Sequence, residues 1–186
     1  MGTDIFNKTI IAACESNNLD NALKSKSSAV IYMNADINSI LSAAARGCFR
    51  HKPIFIHMDL LKGLNSDKEA LHFLKKQINP FGIVSTKSNI IRSAKKEGLF
   101  TLQRIFLIDT KSFNNSLEAI RENKPDAVEI MPAIAPSIVQ RYNEHFSKPI
   151  ILGGLISEEG QITKAFEAGA NAVSLSNSRL WDFQVN

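Results

Sequence analysis

His57 and Asp59 stand two residues apart in an apolar run, and Glu129 sits in the middle of another, Ala127-Val128-Glu129-Ile130-Met131. In an extended strand, residues two apart share a face. His57 and Asp59 therefore point the same way as Phe55, while Ile54, Ile56 and Met58 point the other way. The same parity puts Glu129 and Met131 on one face and Val128 and Ile130 on the opposite one. Carboxylates and an imidazole inside an apolar setting require partners, because an unpaired buried charge is strongly unfavourable. Lys87 and Arg104, at the ends of neighbouring runs, are cations of the right kind. Such a set suits a polar ligand, or acid, base and Schiff-base chemistry. The plain alternative is an ion network that satisfies itself.

A second constellation lies late in the chain. Ile151-Leu152-Gly153-Gly154-Leu155-Ile156-Ser157 ends one run on two glycines, and Ser174-Leu175-Ser176-Asn177-Ser178 ends the next on hydroxyls and an amide. Glycines let backbone N–H groups approach anionic oxygens, and the start of a following helix adds unpaired donors. Gly153, Gly154, Ser176 and Asn177 are thus candidates for a phosphate cradle. No G-x-G-x-x-G occurs, so the glycine fingerprint of dinucleotide sites is absent.

These residues need elements to hold them. Apolar runs at 9–14, 29–33, 54–59, 82–86, 100–104, 127–131, 150–153 and 172–176 read as strands. Each is followed by a stretch with apolar residues three and four apart, at 19–24, 37–47, 68–77, 89–98, 113–123, 137–146, 159–169 and 178–183. Gly47, Gly98 and Gly169 stand where helices should stop, and Pro53 and Pro149 open strands. Eight consecutive βα units without a long insertion predict a compact (β/α)8 barrel filling residues 1–186 as a single domain, with an open doubly wound sheet as the runner-up. In that barrel, chemistry belongs at the C-terminal ends of the strands, where both constellations fall.

Composition narrows the class. With 186 residues, 44% of them apolar and 22% charged, the chain can bury a substantial core without staples, which excludes fibre and disorder. No apolar run reaches the ~18 residues of a membrane span, and the polar start lacks the pattern of a signal peptide, so a cytoplasmic protein is expected. Cys14 and Cys48 fit no metal-ligand spacing and read as reduced structural thiols, and no metal site or cofactor is expected. The net charge of +4 is unevenly spread: residues 40–100 carry eleven Lys or Arg against four Asp or Glu, a local +7, and the rest carries −3. This basic lobe suggests an anionic partner or, more plainly, solvated helix faces.

Five ordered blocks resemble the glycerol uptake operon antiterminator regulatory proteins, the glycerol-3-phosphate responsive antiterminator family. They are Ile56-His57-Met58-Asp59-Leu60-Leu61-Lys62-Gly63, Pro80-Phe81-Gly82-Ile83-Val84-Ser85-Thr86-Lys87-Ser88-Asn89, Gln103-Arg104-Ile105-Phe106-Leu107-Ile108-Asp109-Thr110, Pro125-Asp126-Ala127-Val128-Glu129-Ile130-Met131-Pro132 and Gly153-Gly154-Leu155-Ile156. The resemblance implies a barrel, glycerol 3-phosphate as effector, and binding to the leader messenger RNA of a glycerol operon so that transcription passes a terminator. The family pattern tends to have Pro-Ala-Ile-Arg where this chain has Ala12-Ala13-Cys14-Glu15, a smaller hydroxyl residue at Leu175, and Gly at Ala133.

Roles follow from that implication. Gly153, Gly154, Ser176 and Asn177 would hold the phosphate, with Lys87 or Arg104 adding a charge-assisted bond. Asp59 and Glu129 would accept from the glycerol hydroxyls, and His57 would orient Asp59. For RNA, Arg92, Lys95 and Lys96 recur on the fourth helix, Arg46, Arg50 and Lys52 close the second, and Lys75 and Lys76 lie between them on the third, a face suited to phosphate contacts. A non-enzymatic regulator is the expectation. The competing reading is a phosphosugar isomerase or lyase using the same phosphate site, with His57, Asp59, Lys87 and Glu129 as its reactive groups.

Overall fold

The computed structural model describes residues 4–184. Eight strands, β1 (Thr9–Cys14), β2 (Ala29–Tyr32), β3 (Ile54–His57), β4 (Gly82–Ser85), β5 (Phe100–Phe106), β6 (Ala127–Met131), β7 (Ile150–Gly153) and β8 (Ala172–Leu175), pair in parallel in chain order, and β8 closes on β1. The helices are α1 (Leu19–Lys24), α2 (Ile37–Ala45), α3 (Cys48–His51), α4 (Lys68–Phe73), α5 (Ser88–Lys96), α6 (Thr110–Asn123), α7 (Ile138–Asn143) and α8 (Glu159–Glu167). The protein is a (β/α)8 barrel, as the period of its apolar runs predicts.

Local chemistry sets the helix ends. Asp36, Asp67 and Asp109 cap α2, α4 and α6 by accepting backbone N–H groups of the first turn. Gly47, Gly98 and Gly169 take left-handed conformations, with φ of +76°, +71° and +95°, and stop the chain where the sequence says it should stop. Other boundaries differ from the expectation. The third predicted helix is an α-helix only to Phe73 and continues as a π-helix over Leu74–Ile78, closed by Asn79 at φ +51°. The eighth shrinks to a 3-10 turn, Ser178–Leu180. Two short pieces, the 3-10 turn Asp4–Phe6 and α3, are too short to carry a 3.6-residue period and leave no signal in the pattern.

Two apolar layers result. The outer one lies between strands and helices and contains Ile54, Ile56, Met58, Val128 and Ile130, the residues that parity turns outward. The inner one fills the barrel with Ile11, Ile31, Phe55, Val84, Leu102 and Ile151. Phe6, from the turn before β1, plugs its lower end against Phe55 and Phe100, with Phe81 completing an aromatic cluster. A plugged lower end leaves the upper end, at the strand C-termini, as the open one.

Candidate functional site

At that upper end the apolar filling gives way to polar groups. Arg104 and Glu129 are register partners on β5 and β6, and both side chains point inward because each lies an even number of residues from an inner-core neighbour, Leu102 and Ala127. The Arg104 Nε donates to Glu129 Oε2 at 2.6 Å, with the two side chains only 6% and 0% exposed. Ser174, on β8, donates its hydroxyl to the other Glu129 oxygen. Glu129 is thereby held from two sides. A second Arg104 nitrogen, Nη2, is buried with no hydrogen-bond partner among the described residues.

Gly153 explains how the trio fits. A Cβ at this position would lie 2.2 Å from Ser174 Oγ and 3.1 Å from Glu129 Oε1. The missing side chain is therefore required by the Glu129–Ser174 contact, a reason distinct from backbone approach to a phosphate. Gly154 has the conformational reason, since it turns at φ +78°, and Leu155 follows at φ +60° with its side chain 72% exposed. Arg104, Gly154, Leu155 and Ser174, together with Ala13, Met33, Met131, Ile156, Leu175 and Ser176, line a cavity of about 90 Å³ at the barrel mouth.

His57 is buried inside the barrel on β3, and its Nδ1 has no hydrogen-bond partner among the described residues. Burial first, and then the positive charge of Arg104, push the imidazole down to about 4, so the ring is neutral at pH 7. Asp59, expected on the same strand face, lies beyond the strand in the 3-10 turn Met58–Leu60. There it accepts from Ser85 Oγ, the Thr86 N–H and Thr86 Oγ1 at 2.7–2.8 Å. Burial alone would raise its pKa, but these three bonds outweigh burial and hold the carboxyl below its usual value. Asp59 thus ties β3 to β4 and is not hydrogen-bonded to His57. Lys87 is exposed at the N-cap of α5 and makes no ion pair with Glu129. Asn177 caps the 3-10 turn through the Arg179 N–H at 3.2 Å and also donates to the Ser157 carbonyl, so it joins the two final loops. Ser176 is exposed at the mouth. Ser174 is the member of this group that the sequence reading left out, and parity would have found it, two residues before Ser176 on the inward face.

The expected RNA-facing cations separate into engaged and free. Arg46 pairs with Asp20, Lys95 with Asp126 and the Lys124 carbonyl, and Arg92 with Asn123. The Lys52 ammonium donates to Ala22 O, Ser25 O and Ser27 Oγ, and burial draws its pKa below the ordinary lysine value. Lys75 makes a single long bond, 3.3 Å to Gly98 O. Arg50, Lys76 and Lys96 have no ion-pair partner among the described residues. Most of the eight cluster near the C-terminal ends of α2, α3, α4 and α5, which lie at the strand N-termini, the end of the barrel opposite the mouth. The loops at the mouth lead into the other ends of α2, α4 and α5.

Both cysteines are free and buried, and burial with the neighbouring Glu15 charge raises the Cys14 thiol to about 12, which fits the structural role expected for it. Glu15 itself accepts from Asn34 Nδ2 at 2.6 Å and so joins the ends of β1 and β2. Among the described residues no helix is long and apolar enough to cross a membrane, and no cluster of metal-ligating side chains occurs.

Residues 9–181 match the model of the family described as glycerol-3-phosphate responsive antiterminator. The chain belongs to that family. It is 32% identical over 173 residues to the uncharacterized protein YgcP of Escherichia coli (strain K12), covering 92% of this chain and 91% of that protein. The crystal structure of the glycerol uptake operon antiterminator regulatory protein from Listeria monocytogenes str. 4b F2365 superposes with a TM-score of 0.88 at 31% identity, over 96% of this chain and 97% of that one. A glycerol uptake operon antiterminator-related protein from Thermotoga maritima MSB8 gives 0.83 at 27% identity, over 95% and 99%. Membership agrees with the resemblance carried by the five sequence blocks, and the family's barrel is the one seen here.

Proposed function

We propose that this chain is a cytoplasmic, non-enzymatic antiterminator that holds glycerol 3-phosphate at the barrel mouth and binds leader messenger RNA of a glycerol operon through its basic lobe. The observation that carries the effector site is the buried, unpartnered Nη2 of Arg104 in a residue that lines the mouth cavity. A charged donor without a partner costs more than the ~1–3 kcal/mol of a neutral one, and an anionic oxygen would remove that cost. Glu129 and Ser174 keep the guanidinium from turning away, so the donor is oriented before any ligand arrives. Gly154 and Ser176 border the same opening, and Asn177 follows Ser176 in the chain; they would supply backbone, hydroxyl and amide groups suited to a phosphate. Gly153 contributes indirectly, by admitting Glu129. His57, neutral at pH 7, can donate to or accept from a glycerol hydroxyl, whereas Asp59 and Lys87 act at the rim, through the β3–β4 connection and an exposed cation.

Family membership supports the regulatory reading over the phosphosugar enzyme, and fold alone does not separate the two. The exposed position of Lys87 also argues against a buried Schiff-base lysine beside Glu129. Titration calorimetry tests the proposal. Glycerol 3-phosphate should bind, and glycerol far more weakly, because the phosphate supplies a charged acceptor for the Arg104 Nη2 that the Glu129 pair leaves unpartnered. Equal affinity for the two would refute the phosphate site, and steady turnover of the ligand in the cell would point to an enzyme instead.

A further inference from the structure

A larger opening lies at the other end of the barrel. Phe49, Arg50, His51, Lys52, Pro53, Lys75, Asn79, Pro80 and Phe81 line a cleft of about 420 Å³ between the approaches to β3 and β4. That volume falls within the ~300–1,000 Å³ of pockets that take small molecules or single groups of larger ones. None of the nine lining residues is acidic. Lys52 is committed to three oxygen acceptors of α1 and the α1–β2 connection, but among the described residues Arg50 is exposed with no ion pair, and Lys75 has only its long bond to a carbonyl. Basic residues in the last turns of α3 and of the π-helix are partly accounted for as dipole partners. A recess between them, with an exposed imidazole and half-buried phenyl rings in its wall, is not accounted for in that way.

Cations that approach a recess from two sides, aromatic or imidazole faces within it, and no carboxylate are together the chemistry that holds an unstacked nucleotide: the phosphates meet the cations and the base lies against a π-face. We infer that this cleft takes an unpaired nucleotide of single-stranded RNA, with Arg50 and Lys75 on the flanking phosphates and His51 against the base. The inference rests on the RNA-binding reading above and gives it a location, the lower rim. It also separates the RNA contact from the effector cavity by the length of the barrel, whereas a helix-face contact would run along α5.

The test uses the full chain and a fluorescein-labelled pool of 20-nucleotide single-stranded RNAs of random sequence, followed by anisotropy from low to moderate salt. Arg50→Gln with Lys75→Gln should weaken binding about tenfold and lower the slope of log affinity against log salt by about 1.4, the loss of two phosphate contacts at ~0.7 each. His51→Ala should weaken binding about fivefold or more with the slope unchanged, because stacking is not ionic. Lys148→Gln with Lys164→Gln, the same charge change on the far side of the molecule, should alter affinity less than twofold. Unchanged melting temperature and glycerol 3-phosphate affinity would confirm that the variants are folded. Equal weakening by the two lysine-containing double variants would overturn the cleft in favour of diffuse attraction. Wild-type affinity in the Arg50, Lys75 variant would overturn the cleft and leave the RNA reading standing. No binding of the pool by the wild-type protein, with inorganic phosphate or adenosine monophosphate bound instead, would overturn both.

Discussion

Arg104 and Glu129, opposite one another on β5 and β6, form a buried ion pair in which both carboxylate oxygens have a partner and one guanidinium nitrogen, among the described residues, has none. Removing the acid therefore does more harm than removing a surface partner. Glu129→Ala should destabilise the protein by about 3–5 kcal/mol, because it strands a buried cation. Arg104→Met should also destabilise, and it should abolish glycerol 3-phosphate binding in whatever protein remains folded. Denaturant titration with calorimetry on the same samples checks both, and wild-type effector affinity in the Arg104 variant would remove Arg104 from the site.

His57 gives stability a pH dependence of definite sign. Its folded pKa, about 4, lies below the 6.5 of the free side chain, so between these values the unfolded chain binds a proton that the folded chain does not. The contribution is complete above pH ~6.5 and is lost as pH falls towards 4, amounting to about 3 kcal/mol. His57→Gln should flatten the melting-temperature profile between pH 6.5 and 4. A parallel profile in the variant would assign the acid sensitivity to other groups.

Gly153→Ala should destabilise by about 1–3 kcal/mol through overpacking against Ser174 and Glu129. Adding Ser174→Ala should recover part of that loss, since the closest clash, at 2.2 Å, is with the serine hydroxyl. A double-mutant cycle by chemical denaturation measures the coupling, and strict additivity would refute it.

Lys95 and Lys96 are neighbours in sequence with different roles. Lys95→Ala should lower stability by up to ~1 kcal/mol, the range of a partly exposed ion pair, by releasing Asp126 and the Lys124 carbonyl. Lys96→Ala should leave the melting temperature unchanged.

Effector and RNA should be coupled. If glycerol 3-phosphate prefers one RNA-binding state, RNA affinity should shift by about 5- to 150-fold, and linkage requires RNA to change effector affinity by the same factor. With the mouth and the basic rim at opposite ends, the signal has to pass along packed strands and helices. The loops at the mouth do not carry the cations themselves. Measuring each affinity with and without the other partner decides the matter, and RNA binding that is indifferent to saturating effector would reject the sensor.

Much of this was readable along the chain. Eight apolar runs and their helical partners determine the barrel, since a parallel strand covered on both faces has to be apolar throughout. Parity within a strand also determines that Phe55, His57 and Glu129 face inward, because the alternation is local. The tertiary structure decided which polar groups meet. Asp59 is two residues beyond the end of β3, in a 3-10 turn, so parity no longer applies and it binds the end of β4. Lys52, Arg46 and Lys95 look like free cations in sequence, yet they find acceptors on neighbouring βα units some 25–31 residues away. Gly153 reads as a phosphate glycine until the register of β6, β7 and β8 places Ser174 and Glu129 against it. Orientation along a strand is a property of the chain, whereas the partner across the barrel depends on how the strands close.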